Sequence, residues 1–60
     1  MARQAEIYLR DQRSILVSDS DGARVQSAIS VGQQAVEVRE IAGNRNVLNV
    51  VNVVRIDFQG

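Results

Sequence analysis

Val47-Leu48-Asn49-Val50-Val51-Asn52-Val53-Val54-Arg55-Ile56-Asp57-Phe58 is the stretch around which the chain is organised. Leu48, Val50, Val54, Ile56 and Phe58 share one parity, and Val47, Asn49, Val51, Val53, Arg55 and Asp57 share the other. Alternation with period two, rich in β-branched residues, predicts strand with one face in a core. Asn52 interrupts the apolar parity and predicts a turn or bulge that splits the stretch into 47–50 and 53–58. Val51 and Val53 keep the second face partly apolar, so that face is expected to meet a partner surface as well.

Upstream, Ala35-Val36-Glu37-Val38-Arg39-Glu40-Ile41 alternates in the same way. Ala42-Gly43-Asn44-Arg45-Asn46 links it to the last stretch, with Gly43 and Asn44 both tolerant of positive φ, which predicts a hairpin. At the other end, residues 4–10 place Ala5, Ile7 and Leu9 on one face, and a second apolar run follows at Ser14-Ile15-Leu16-Val17-Ser18. The polar link Asp11-Gln12-Arg13 between them predicts another hairpin, although no Asn-Gly or Asp-Gly pair marks its turn.

Residues 18–32 admit two readings. As a helix they start on an Asp19 or Ser20 cap, carry Val25, Ala28 and Ile29 on one face, and stop at Gly32. As a strand they follow a turn at Asp21-Gly22, with Ser27 on the apolar face. Signals at both ends favour the helix. The expected architecture is therefore α+β, a small β-β-α-β-β sheet with one covering helix. The alternative is a five-stranded SH3-like or OB-like barrel.

Sixty residues make a single small domain, 1–60, and a chain this short buries only about 60% of its unfolded surface. Cys and His are absent, which removes disulfides and the ordinary structural zinc site. Oligomerisation is the compensation left to a core of this size. Ten valines and a single Tyr and Phe define that core as aliphatic. Seven arginines balance seven acids, for a formal net charge of zero, so the composition does not advertise a nucleic-acid or membrane partner. No apolar run follows Met1–Glu6 and none is long enough to span a bilayer, so a cytoplasmic location is expected.

Catalytic chemistry has few candidates. No imidazole titrates near neutrality, no thiolate or amine nucleophile exists, and the serines lack a nitrogen base. Asp19-Ser20-Asp21-Gly22 imitates part of a calcium loop, but Val17 and Ala28 occupy its first and twelfth positions, where ligands belong. Glu37 and Glu40 point to opposite faces of a strand and make no acid–base pair. No enzyme activity, cofactor or metal site is expected.

The two-faced apolar C-terminal stretch, the undersized core and the absence of catalytic side chains instead point to a non-enzymatic protein–protein assembly module that self-associates, of the kind phages and mobile elements carry as accessory proteins. Val51 and Val53 are the expected interface residues, with Tyr8 and Leu16 beside them. The alternative is a small nucleic-acid-binding protein using an arginine-bearing sheet face of Arg39, Arg45 and Arg55. Antiparallel pairing about Gly43 would bring Arg39 next to Arg55, and Glu37 within reach of Arg55 as a surface ion pair.

Overall fold

The computed structural model describes residues 3–59. Its elements are β1 (Gln4–Leu9), β2 (Ser14–Ser18), α1 (Asp19–Val31), β3 (Ala35–Arg39), β4 (Arg45–Asn49), one 3₁₀ turn (Val50–Asn52) and β5 (Val53–Gln59). The class is α+β, as expected from the sequence. The five strands form two antiparallel sheets, one of order β2-β1-β5 and one of β3 with β4. A single bridge, Val17 opposite Glu40, joins β2 to the end of β3, backed by the Ile41 N–H donating to the Leu16 carbonyl. The strands thus follow one another in the order of a five-stranded barrel that is left open between β4 and β5.

Both hairpins close through the same turn. Leu9 N–H donates to Arg13 C=O and Gln12 N–H to Leu9 C=O, while Glu40 N–H donates to Asn44 C=O and Gly43 N–H to Glu40 C=O. Each loop has three residues, the last at positive φ: Gly43 at 105° and Gln12 at 70°. Such loops favour glycine at the last position because a Cβ crowds the left-handed conformation. The first hairpin forms with glutamine there, which is why its turn carries no obvious sequence signal. Asp11 compensates locally by accepting from the Arg13 N–H at 3.1 Å and from Arg13 Nε at 2.6 Å. The Arg13 backbone bond, acting first, and then the Arg13 side chain hold the Asp11 carboxyl below its ordinary value.

The helix is capped by Ser18, not by Asp19 or Ser20. Ser18 is extended, at φ −65° and ψ 158°, and its hydroxyl accepts from the Asp21 N–H at 3.3 Å. The same residue ends β2, so strand and helix share one hinge with no intervening loop. At the other end Gly32 adopts φ 77° and ψ 22°; Gln33 N–H reaches Ala28 C=O and Gly32 N–H reaches Ile29 C=O, a Schellman closure.

Among the described residues nine apolar side chains are buried: Ala5, Ile7 and Leu9 from β1, Val17 from β2, Val25 and Ala28 from α1, and Val36, Val38 and Leu48 from the second sheet. Ile15, Val50, Val53 and Ile56 pack against them, half-buried. The helix lies over both sheets on the stripe Gly22, Val25, Ala28. Ile29, expected on that stripe, is 44% exposed.

The last stretch departs from simple parity at one point. β5 pairs with β1 with Tyr8 opposite Arg55, but Leu9 lies opposite Val53, so Val54 is the extra residue of a β-bulge. The bulge moves Val53 onto the core side and leaves Val54 60% exposed, the reverse of the parity expectation. Leu48, Val50 and Ile56 face inward as the alternation predicts. Asn49 begins the 3₁₀ turn, its side chain accepting from the Val51 N–H. Arg10 then anchors the turn to the end of β1: its N–H donates to Asn52 C=O and its Nε to Val51 C=O.

Candidate functional site

The three-stranded sheet turns Gln4, Glu6 and Tyr8 of β1 away from the core, flanked by Ser14, Leu16 and Ser18 of β2 and by Arg55, Asp57 and Gln59 of β5. This outer face is a polar lattice. Ser14 Oγ donates to Glu6 Oε2 at 2.8 Å, and Gln59 bonds to both Gln4 and Glu6. The Arg55 guanidinium sits 4.5 Å from the centre of the Tyr8 ring and 3.2 Å from Asp57 Oδ2. A guanidinium over an aromatic face is attracted by the ring quadrupole. Tyr8 first, and then the Asp57 charge, hold Arg55 still more firmly in its charged form.

The four apolar interface residues expected from the sequence do not form one surface. Tyr8 lies half-buried beneath Arg55 in the middle of the outer face. Leu16, 41% exposed, lies diagonally from it on β2, opposite Glu6. Val51 is 62% exposed on the 3₁₀ turn. Val53 packs against the core of its own chain and presents little surface. Val54 and Phe58, assigned by parity to the interior, stand 60% and 50% exposed instead. The bulge accounts for Val54, and the helix approaching through Gly22 covers only part of the Phe58 ring.

The arginine-bearing face divides in the same way. Arg39 and Arg45 are direct cross-strand partners on the outer side of β3 and β4, whereas Arg55 belongs to the other sheet. Arg39 and Arg55 are therefore not strand neighbours, and Glu37 faces Val47 rather than Arg55. The expectation that pairing about Gly43 would join them fails because the 3₁₀ turn ends β4 at Asn49 and sends β5 to β1.

An open groove of about 650 Å³ runs from the start of α1 to the second hairpin, lined by Asp21, Arg24, Glu37, Arg39, Glu40 and Arg45 among others. Two of its acids are engaged. Asp21 accepts from the Arg39 backbone N–H at 3.0 Å and from Arg24 at 3.4 Å, and Glu40 accepts from Asn46. Among the described residues, Arg39 and Arg45 have no acidic partner within ion-pair distance. Two like charges directly opposed on a sheet repel, so this pair favours an anion or a carboxylate beside it. Glu37, on the same outer face, is the nearest such group in sequence register.

The Asp19–Gly22 stretch forms the first turn of α1, with Asp21 committed to Arg24 and to the end of β3. Among the described residues no three His, Cys, Asp or Glu side chains converge as a metal site requires. No helix there is long and apolar enough to cross a membrane.

Comparison with family models, with curated proteins and with solved structures finds no match to this chain.

Proposed function

We propose that the chain is a non-enzymatic assembly module that acts as a homo-oligomer. The observation that carries this reading is the placement of its large apolar side chains. The fully enclosed ones are Ile7, Val17, Val25 and Val38, all of modest size, while Leu16, Ile41, Val47, Val51, Val54 and Phe58 stand 41–70% exposed. An aliphatic core so small supports a domain weakly, and burying exposed apolar surface against a second chain is the remaining source of stability. With zero net charge, little electrostatic repulsion opposes association.

Light scattering coupled to size-exclusion chromatography over a dilution series tests the proposal. A mass above 6.6 kDa that falls on dilution is the expected result. A folded monomer at every concentration would remove the proposal.

A second reading, nucleic-acid binding, is favoured by the Arg39–Arg45 couple, which has no acidic partner within ion-pair distance among the described residues. It rests on the β3–β4 face and no longer includes Arg55. Titration with mixed oligonucleotides at low salt tests it: phosphate contacts would make the affinity fall steeply with added salt, and absence of binding would dismiss it.

A further inference from the structure

The outer edge of β5 is an unpaired strand edge. In the sheet β2-β1-β5, the far edge of β2 is met by the Val17–Glu40 bridge and the Ile41–Leu16 bond, whereas no strand lies beyond β5 among the described residues. Its hydrogen-bonding phase follows from one contact. Leu9 N–H donates to Arg13, on the β2 side, so Leu9, Ile7 and Ala5 direct their backbone groups toward β2, and Tyr8, Glu6 and Gln4 direct theirs toward β5. Arg55, Asp57 and Gln59, their partners, are thereby satisfied by β1. The N–H and C=O groups of Ile56 and Phe58 point out of the sheet edge, where no further strand of the described residues lies.

The sequence along this edge is self-complementary about Ile56. One step on either side stand Arg55 and Asp57, and two steps away stand the exposed Val54 and Phe58. We infer that the edge pairs with β5 of a second copy of the chain, antiparallel and with its two-fold axis at Ile56, forming a six-stranded sheet from the two β2-β1-β5 units. This inference rests on the self-association proposed above and specifies its interface.

Three features select this register. The backbone groups of Ile56 point to the free edge, so the two copies of Ile56 can exchange both N–H···O=C bonds. Arg55 then faces Asp57 of the second copy in a non-hydrogen-bonded pair, the type in which side chains approach more closely. Because Arg55 and Asp57 already lie 3.2 Å apart on the outer face, the two copies would form a ring of four charges with alternating sign. Phe58 of each copy comes level with Val54 of the other, so the seam brings together two apolar residues left exposed in the single chain. Centring the pair on Arg55 or Asp57 would set like charges opposite each other, and centring it on Phe58 would leave both charged residues without a mate. The bulge at Val54 ends the regular ladder, so the match is short and the dimer is expected to dissociate on dilution.

Charge reversal tests the pairing directly. Arg55→Asp places acids at both positions and Asp57→Arg places arginines at both, so each variant alone is expected to dimerise about tenfold more weakly than the parent chain. An equimolar mixture of the two restores opposite charges across the axis and should recover the dimer mass, as should the double variant R55D/D57R. Circular dichroism verifies that each variant is folded. Should either fail to fold, amide exchange on the unmodified chain gives the same answer: protection of the Ile56 and Phe58 N–H groups should rise with concentration while that of Arg55 and Asp57 stays constant. A chain that oligomerises with no response to either variant and no concentration-dependent protection at Ile56 would overturn the β5 pairing and leave self-association standing. A chain that stays monomeric would overturn both.

Discussion

A Cβ built on Gly22 would lie 2.6 Å from the Cβ of Ala5, with the Phe58 ring 3.2 Å away. The first turn of α1 therefore rests directly on the Ala5 side chain of β1 and the Phe58 ring of β5, and a methyl group has no room between them. Only the strand reading of residues 18–32 puts Gly22 in a turn. In the folded chain it is a point of close approach between helix and sheet.

Gly22→Ala tests this contact, because helix propensity and packing have opposite signs there. Alanine gains about 1 kcal/mol over glycine in a helix interior, but overpacking against an immovable Cβ costs about 1–3 kcal/mol. A net loss of about 1 kcal/mol in urea unfolding is expected, and Ala5→Gly in the same chain should recover part of it. Stabilisation by Gly22→Ala alone would contradict the close approach.

The first hairpin holds Gln12 at φ 70°, where the second uses Gly43. Gln12→Gly should stabilise the fold by about 0.5–1 kcal/mol, since relief of left-handed strain outweighs the added freedom of the unfolded chain. The urea midpoint should rise with an unchanged m-value.

Ser18→Ala removes the helix cap and should cost about 1 kcal/mol. Asp19→Ala should cost clearly less, since Asp19 is not the cap and contributes through the helix dipole. Thermal unfolding of the two variants side by side separates cap from dipole.

Val53→Asp should destabilise the chain by about 2 kcal/mol or more, because it sets a carboxylate against the core. Val54→Asp, one residue on, should change the stability of the single chain by no more than about 0.5 kcal/mol. Urea unfolding at a concentration where the chain is monomeric reads this contrast. Equal effects would place the bulge elsewhere.

Asp11 sets an acid limit on the first turn. Its folded pKa lies below its ordinary value of 3.8, so its stabilising contribution is complete above that value and is lost as pH falls through the lowered one. Exchange of the Arg13 amide should accelerate at the acid end relative to the second hairpin, after correction for intrinsic rates. Asp11→Asn should abolish that difference.

Much of the fold is legible in local pattern. Ala5, Ile7 and Leu9 alternate on a strand and do face the core; Gly32 ends the helix in the left-handed conformation; Gly43 turns the second hairpin. Asn52 marks the break between β4 and β5. Each of these depends on residues within one or two turns of chain, where side-chain period and backbone sterics act directly. The candidate site is less legible. Arg39 and Arg45 are neighbours because one hairpin pairs them, but Arg55 is carried to Tyr8 by a strand pairing that spans almost the whole chain.

The sequence by itself determined the elements, their order and the composition of an aliphatic core with neither imidazole nor thiol. Tertiary structure alone decided which of Val53 and Val54 is inside, because a one-residue bulge against β1 inverts the phase of a period-two pattern and no local signal records it. It also decided that the last strand leaves its hairpin to join β1. That choice balances long-range burial against chain entropy, and it is what exposes the Arg55-Ile56-Asp57 edge.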